Sequence, residues 1–234
     1  MKNILVIDTE TTGLDHEKEK VVEIAAVVVD AENYLISKYH SELIDPGIPI
    51  PVESTAIHHL KDEDVKGKRN LDQSVAYSIG PLVSGKGFVP AAHYAAFDSL
   101  FVKIPGDWIC TNRCAKHLWP NAPGHSNQVL RYWIKDLDYY ANMTGMAMPP
   151  HRALPDAWVT AHLVIRMLQE GNTVEDLLRL TKTPILLKTC RFGKHANTDW
   201  KDVPRDYLIW ILKGDHSKWD PDIIHTAKYY AGGG

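Results

Sequence analysis

The sequence predicts an α/β protein, a mixed five-stranded sheet flanked by helices. Three observations predict it. Two short runs, "NILVID" and "VVEIAAVVVD", are almost wholly apolar and rich in β-branched residues, as strands buried on both faces are. A third run, "YLISKYHSELI", alternates roughly and reads as a strand beside them. Beyond it, helical and strand-like segments exchange places along the chain, the pattern of a sheet with helices laid over it.

Taken in order, the first three strands form a meander, and "DPGIPIPVES", with three prolines, then excludes regular structure. "NLDQSVAYSIGPLV" is predicted helical, "GFVPAAHY" a strand, "AFDSLFV" a short helix and "DWICT" the last strand. "NRCAKHLW" and "SNQVLRYWIKDL" follow as helices, and "YANMTGMAMPPH" as an irregular linker. The strongest helical pattern is "DAWVTAHLVIRMLQEG", which stops at Gly171, a residue suited to a helix C-terminus. No internal repeat or low-complexity tract interrupts the 234 residues.

Composition names no function: 44% hydrophobic and 24% charged residues are ordinary for a globular protein. The start, "MKNILVIDTE", fits neither a signal peptide nor a membrane span, and Cys110, Cys114 and Cys190 leave one cysteine unpaired in any disulfide scheme. Both point to a cytoplasmic protein with no membrane partner. With a net charge of −3, any contact with nucleic acid must come from local patches or bound metal. Cys110, Cys114 and His117 resemble zinc spacing but fall on a predicted strand end and helix.

The residues able to do chemistry are few. Asp8 and Glu10 stand two apart at the end of the first strand, so the pleat turns both carboxylates to one side. They read either as a polar strand end capping a turn or as oxygen ligands for a hard cation. Asp98 opens a predicted helix, where an acid can interact with the helix dipole or take a functional role. Asp156 follows Pro155 near another helix start, with His151 on the incoming loop. Four carboxylates would repel one another unless divalent cations neutralised them, and a histidine beside them suits a general base near neutral pH. Together they describe a two-metal phosphoryl-transfer site.

"DTETTG", "AHYAAFD" and "HRALPDA" resemble the three motifs of the DEDDh (DnaQ-like) group of 3′-to-5′ exonucleases, in the same order. "IPGDWICT", "LWP" and the late "FGKHANTDWKDVP" are similar to its exodeoxyribonuclease X branch, extending the resemblance over nearly the whole chain. The resemblance implies an RNase H-like fold, an exonuclease domain over residues 1–175, and a small C-terminal appendage over 176–234. It implies Asp8, Glu10, Asp98 and Asp156 as ligands of two Mg²⁺ ions, with Mn²⁺ able to substitute, and His151 as the base. The implied substrate is DNA at its 3′ ends, single-stranded or duplex, hydrolysed to nucleoside monophosphates. RNA trimming or polymerase proofreading would use the same site, whereas a binding adaptor would not need the intact set.

"STAIHHL" resembles the family segment that contacts terminal nucleotides, which carries over to Ile57, His58 and Leu60; from pattern alone Ile57 and Leu60 read as core and His58 as exposed. Thr9 and Leu14, within and just after the first motif, are further substrate-binding candidates. Tyr94 stands where the family has Asn after His93, which bears on how the second motif is braced. Between Arg179 and Lys213, eight Lys or Arg against three Asp are interleaved with Phe192, Trp200, Tyr207 and Trp210, as in a groove for a nucleic-acid backbone or in a small core with a solvated basic face.

Overall fold

The computed structural model describes residues 3–83, 87–215, 217 and 219–232. The chain divides into two compact units, Met1–Thr181 and Lys182–Gly234. The first unit therefore reaches past residue 175, because the helix that begins at Val174 buries Leu177 completely in the larger core.

The first unit is built on five strands: β1 (Asn3–Thr11), β2 (Val21–Asp30), β3 (Leu35–Leu43), β4 (Phe88–Ala92) and β5 (Ile109–Cys110). Their order is β3-β2-β1-β4-β5. β1 and β2, like β2 and β3, run antiparallel, whereas β4 lies parallel to β1 and β5 parallel to β4. The apolar runs of β1 and β2 have a direct cause: both strands lie inside the sheet, with a core on each face. The pleat sends Ile4, Val6, Ala25 and Val27 to one core and Leu5, Ile7, Ile24 and Ala26 to the other. β3 is an edge strand, largely exposed, and accordingly the least apolar of the three.

The helices of this unit are α1 (Val52–His58), α2 (Asp62–Val65), α3 (Leu71–Ser74), α4 (Gly80–Val83), α5 (Ala95–Phe101), α6 (Thr111–Leu118), α7 (Asn127–Trp133), α8 (Leu137–Asn142), α9 (Ala153–Gln169) and α10 (Val174–Lys182). A π-helical turn, Val75–Ile79, joins α3 to α4 where one continuous helix is predicted. Three further departures concern the loops. α1 starts at the last residues of the proline-rich stretch, the predicted helix over 126–137 breaks at Ile134, and α8 takes up the start of the predicted linker. In each case a short helix is held by tertiary packing rather than by its own pattern, as buried His58, Leu137 and Ala141 indicate.

α9 lies across β1 and β2 and is buried along most of its length, which accounts for its dense apolar sequence. It begins at Ala153, so Pro155 and Asp156 both fall in its first turn, where the missing proline N–H has no helical partner to lose. It ends in a Schellman arrangement: the Gly171 N–H bonds to the Leu168 carbonyl and that of Asn172 to Met167, with Gly171 at φ +93°.

The second unit has a core of its own, made by Cys190, Trp200, Val203, Leu208, Ile211 and Ala227 among others. Its helices are α11 (Arg205–Lys213) and α12 (Pro221–Ala231), the latter capped by the Asp220 carboxylate accepting the Asp222 N–H. Two α12 side chains, Asp222 and Thr226, accept the Ile185 and Leu187 N–H groups and so hold the preceding segment against the helix.

Candidate active site

Asp8 and Glu10 occupy the end of β1 and share the pleat face of Ile4 and Val6, the face covered by α9. A register shift after Glu10 ends the regular pairing with β2. The chain then turns sharply: the Thr12 N–H bonds to the Lys20 carbonyl at 2.8 Å, and a side chain at Gly13 would collide with that of Glu19. Leu14 emerges from the turn 84% exposed.

Thr9, between the two acids, points the other way, and its hydroxyl donates to Asp98 Oδ1 at 2.9 Å. Asp98 lies in α5 and is nearly buried, so this bond replaces water at one of its oxygens. Beside it His93 is a structural residue. Its Nε2–H donates to the His125 carbonyl at 2.8 Å, so Nδ1 accepts the Thr111 hydroxyl at 2.9 Å, and burial lowers its pKa to about 4. Tyr94 is largely exposed, and Asp98 is braced by Thr9 instead.

From the other side, the first turn of α9 brings in Asp156. Its Oδ1 accepts from Gln128 Nε2 at 3.0 Å and its Oδ2 from the His151 N–H at 2.8 Å. His151 is exposed and sits at φ +59°, a left-handed conformation uncommon for a side-chain-bearing residue and held here by that bond. Asp8, Glu10 and Asp156 each bring a carboxylate oxygen within 4.8 Å of the others. Asp98 stands just outside this tightest group, yet near enough to act on Asp8.

The electrostatics follow from the crowding. Burial, followed by Asp98, Asp156, Glu10 and Glu23, raises the Asp8 carboxyl well above the usual carboxylate range. Burial, then Asp156 and Glu23, lift Glu10 to about 8 despite the nearby Arg152. Burial raises Asp98 to about 7 against the opposing Thr9 bond, and Asp156 is raised as well. Carboxylates in such proximity are either protonated or neutralised by cations. An all-oxygen set suits a hard divalent ion, which takes few protein ligands and retains water.

Four neighbours of the site escaped the sequence reading. Glu23 lies directly opposite Glu10 across the β1–β2 pair and is 4% exposed. Arg152 answers it with a two-pronged ion pair, Nε to Oε2 at 2.8 Å and Nη2 to Oε1 at 2.7 Å, and the Ala153 N–H also donates to Oε2. The backbone between His151 and the first turn of α9 is thereby fastened to the sheet. Gln128 holds the Asp156 carboxylate, and Asn127 Nδ2 donates to the Asp156 carbonyl and to Thr160 Oγ1. One signal was visible: Glu23 is the single acid inside an otherwise apolar run.

A family model described as "Exonuclease" matches residues 5–164. The chain belongs to this exonuclease family. It is 34% identical to Exodeoxyribonuclease 10 of Escherichia coli (strain K12), over 96% of this chain and 97% of that one. The solved structure of Exonuclease X in complex with 5′ overhanging duplex DNA is 33% identical, with a TM-score of 0.62 over 76% of this chain and 99% of that chain. The nuclease domain of 3′hExo, described as a DEDDh family member bound to rAMP, shares the fold at 16% identity and a TM-score of 0.56. The sheet order and flanking helices are thus those of the RNase H-like DEDDh exonucleases.

The residues expected to touch substrate separate into two groups. Leu14 and Ile57 are exposed, Ile57 at 54%, where its pattern read as core. His58 and Leu60 are buried, at 1% and 5%, where pattern read His58 as exposed. His58 Nδ1 accepts the Leu60 N–H, which folds the end of α1 back on itself and leaves Ile57 projecting. Thr9 is buried with its hydroxyl committed to Asp98. α1 is in turn tied to the first motif by the Ser54 hydroxyl, which donates to the Thr12 carbonyl at 2.7 Å. The cysteines are structural: Cys110 and Cys114 donate to the His93 and Leu177 carbonyls. Among the described residues no helix is long and apolar enough to cross a membrane.

Proposed function

We propose that this exonuclease is a divalent-metal-dependent 3′-to-5′ exodeoxyribonuclease that releases nucleoside monophosphates from DNA 3′ ends. The observation that carries the reading is the convergence of Asp8, Glu10 and Asp156 within 4.8 Å, with Asp98 adjacent and the carboxyls raised by burial and mutual repulsion. Two Mg²⁺ ions, or Mn²⁺ in their place, held by these four residues would neutralise them, acidify water and stabilise charge on phosphodiester oxygens.

The remaining roles fall to the chain itself. The His151 imidazole, exposed beside Asp156, accepts the proton of the attacking water as the bond from phosphorus to the 3′ oxygen breaks. The Asp156 bond to the His151 N–H holds base and ligand in one unit, and the Glu23–Arg152 pair fixes the segment that follows. Thr9 orients Asp98 rather than touching substrate. Leu14 and Ile57 are apolar and exposed on segments joined through Ser54, and can pack against unstacked terminal bases without reading sequence. The resemblance to a named exodeoxyribonuclease along 96% of the chain supports DNA as substrate over RNA.

The test is hydrolysis of DNA and RNA oligomers labelled at either end, with and without Mg²⁺. Metal-dependent release of mononucleotides from DNA 3′ ends, faster than from RNA, is expected. Release from 5′ ends, internal cutting, or full activity in Asp8→Ala would overturn the reading.

A further inference from the structure

The four aromatic residues interleaved with basic ones near the C-terminus do not share one fate. Trp200 is fully buried and Tyr207 nearly so, as members of a small core suited to a unit of this size. Trp210 is different: 57% of it is exposed. It lies on α11 one turn after Tyr207, and the two rings stack at 5.2 Å with planes 25° apart. Trp219 meets its edge at 6.0 Å, so the exposed ring is held from two sides.

One cationic side chain lies against its stacking partner, Tyr207. Lys194 Nζ stands 5.3 Å over the Tyr207 ring, carried by a 3₁₀ turn, Gly193–His195. Gly193 is at φ +61°, and a side chain there would collide with the Tyr207 hydroxyl, so the turn lies directly on that ring. Lys188, Arg191, Lys194, Lys201 and Lys213 are all exposed, and none makes an ion pair with a described residue. Residues 182–234 carry nine Lys or Arg against six Asp in a chain whose net charge is −3. An exposed aromatic face with a lysine against its inner ring, on a unit whose cations outnumber its acids, is complementary to a flexible polyanion with flat bases. A protein partner would more commonly meet a surface depleted in lysine.

We propose that the C-terminal unit holds single-stranded nucleic acid, stacking a base on Trp210 and meeting the backbone with Lys194 and its neighbouring cations. The inference deepens the proposed function, since it gives the exonuclease a second grip on its polymer substrate, independent of the carboxylate site. Binding through this surface is tolerant of sequence, because every base has a face to stack.

The test uses the full chain and a fluorescein-labelled oligodeoxythymidine of about 20 nucleotides, long enough to engage such a module, with EDTA present for binding and Mg²⁺ for turnover of a dinucleotide. Trp210→Ala is expected to weaken oligomer binding at least about 5-fold, Trp210→Phe to retain most of it, and neither to change dinucleotide hydrolysis. Lys194→Ala is expected to reduce the slope of log affinity against log salt by about 0.7. Thermal unfolding of Trp210→Ala should remain cooperative, with a Tm within about 10 °C of the parent, since only the ring contacts with Tyr207 and Trp219 are lost. Unchanged oligomer affinity in both alanine variants would overturn the inference. So would self-association that Trp210→Ala abolishes while oligomer affinity stays the same. A parent protein that binds the oligomer through Trp210 yet hydrolyses no dinucleotide would overturn the catalytic reading and leave this one standing.

Discussion

The end of the sheet and the C-terminal unit solve opposite electrostatic problems. At the first, four acids are gathered into partial burial, where their charge is unfavourable until cations arrive. In the second, Lys188, Arg191, Lys194, Lys201 and Lys213 remain exposed without an ion pair to a described residue, on a unit that also projects Trp210 into solvent. The lesson is that burial gives a charge its chemical use in one place and exposure does so in the other. A buried carboxylate gains affinity for metal because water no longer competes, whereas a surface lysine meets a phosphate at little desolvation cost.

The contrast can be broken most severely at the carboxylates. Asp8→Ala or Asp156→Ala should lower kcat by at least about 10³-fold, because several kcal/mol of charge stabilisation goes with a metal ligand. Circular dichroism of either variant should remain that of the parent. His151→Ala should cost about 10²- to 10⁴-fold, the usual range for a general base, while calorimetric titration still finds Mg²⁺ bound. A variant that loses Mg²⁺ binding along with activity would return His151 to a structural role.

Next in size is the brace behind the site. Arg152→Ala leaves the Glu23 carboxylate buried and unpaired, and should reduce stability by about 3 kcal/mol in denaturant unfolding. It should also lower kcat more than it raises KM, since the affected segment carries His151. Arg152→Lys restores the charge without the two-pronged geometry and should recover only part of either quantity. Equal recovery by lysine would show that charge alone matters there.

Acidity offers a finer probe. The Glu10 pKa rises on folding from 4.5 to about 8, so its contribution favours the fold below 4.5 and is lost as pH rises through 8. In EDTA, chemical unfolding should therefore show lower stability at pH 8.5 than at pH 5, a difference reduced by Mg²⁺ and by Glu10→Gln. A metal-free protein more stable at the higher pH would contradict the crowding. The smallest effect is expected at Leu14: Leu14→Ala should slow hydrolysis of paired 3′ ends a few-fold more than of single strands, and equal losses on the two substrates would remove its role in holding the end open.

Much of this was legible before folding. Period-two spacing placed Asp8 and Glu10 on one face, and the proline ahead of Asp156 placed that acid in a first helical turn. Less legible were α1 and α8, whose own sequences carry weak helical patterns and which depend on the surface they cover. His58 and Ile57 were read in reverse because α1, short and bound at both ends, turns the face that its pattern calls polar inward.

By itself the sequence determined the strands of the inner sheet, the order of the motifs and the identity of the acids and of the histidine beside them, because each rests on spacing within a few residues. Only tertiary structure decided that Glu23 meets Arg152 across 129 positions, that Thr9 serves Asp98 across 89, and that Trp210 stays at the surface while Trp200 does not. The physical reason is range. Backbone periodicity records which way a side chain points, but what it meets there, and hence its charge state and use, is set by segments brought in from elsewhere in the chain.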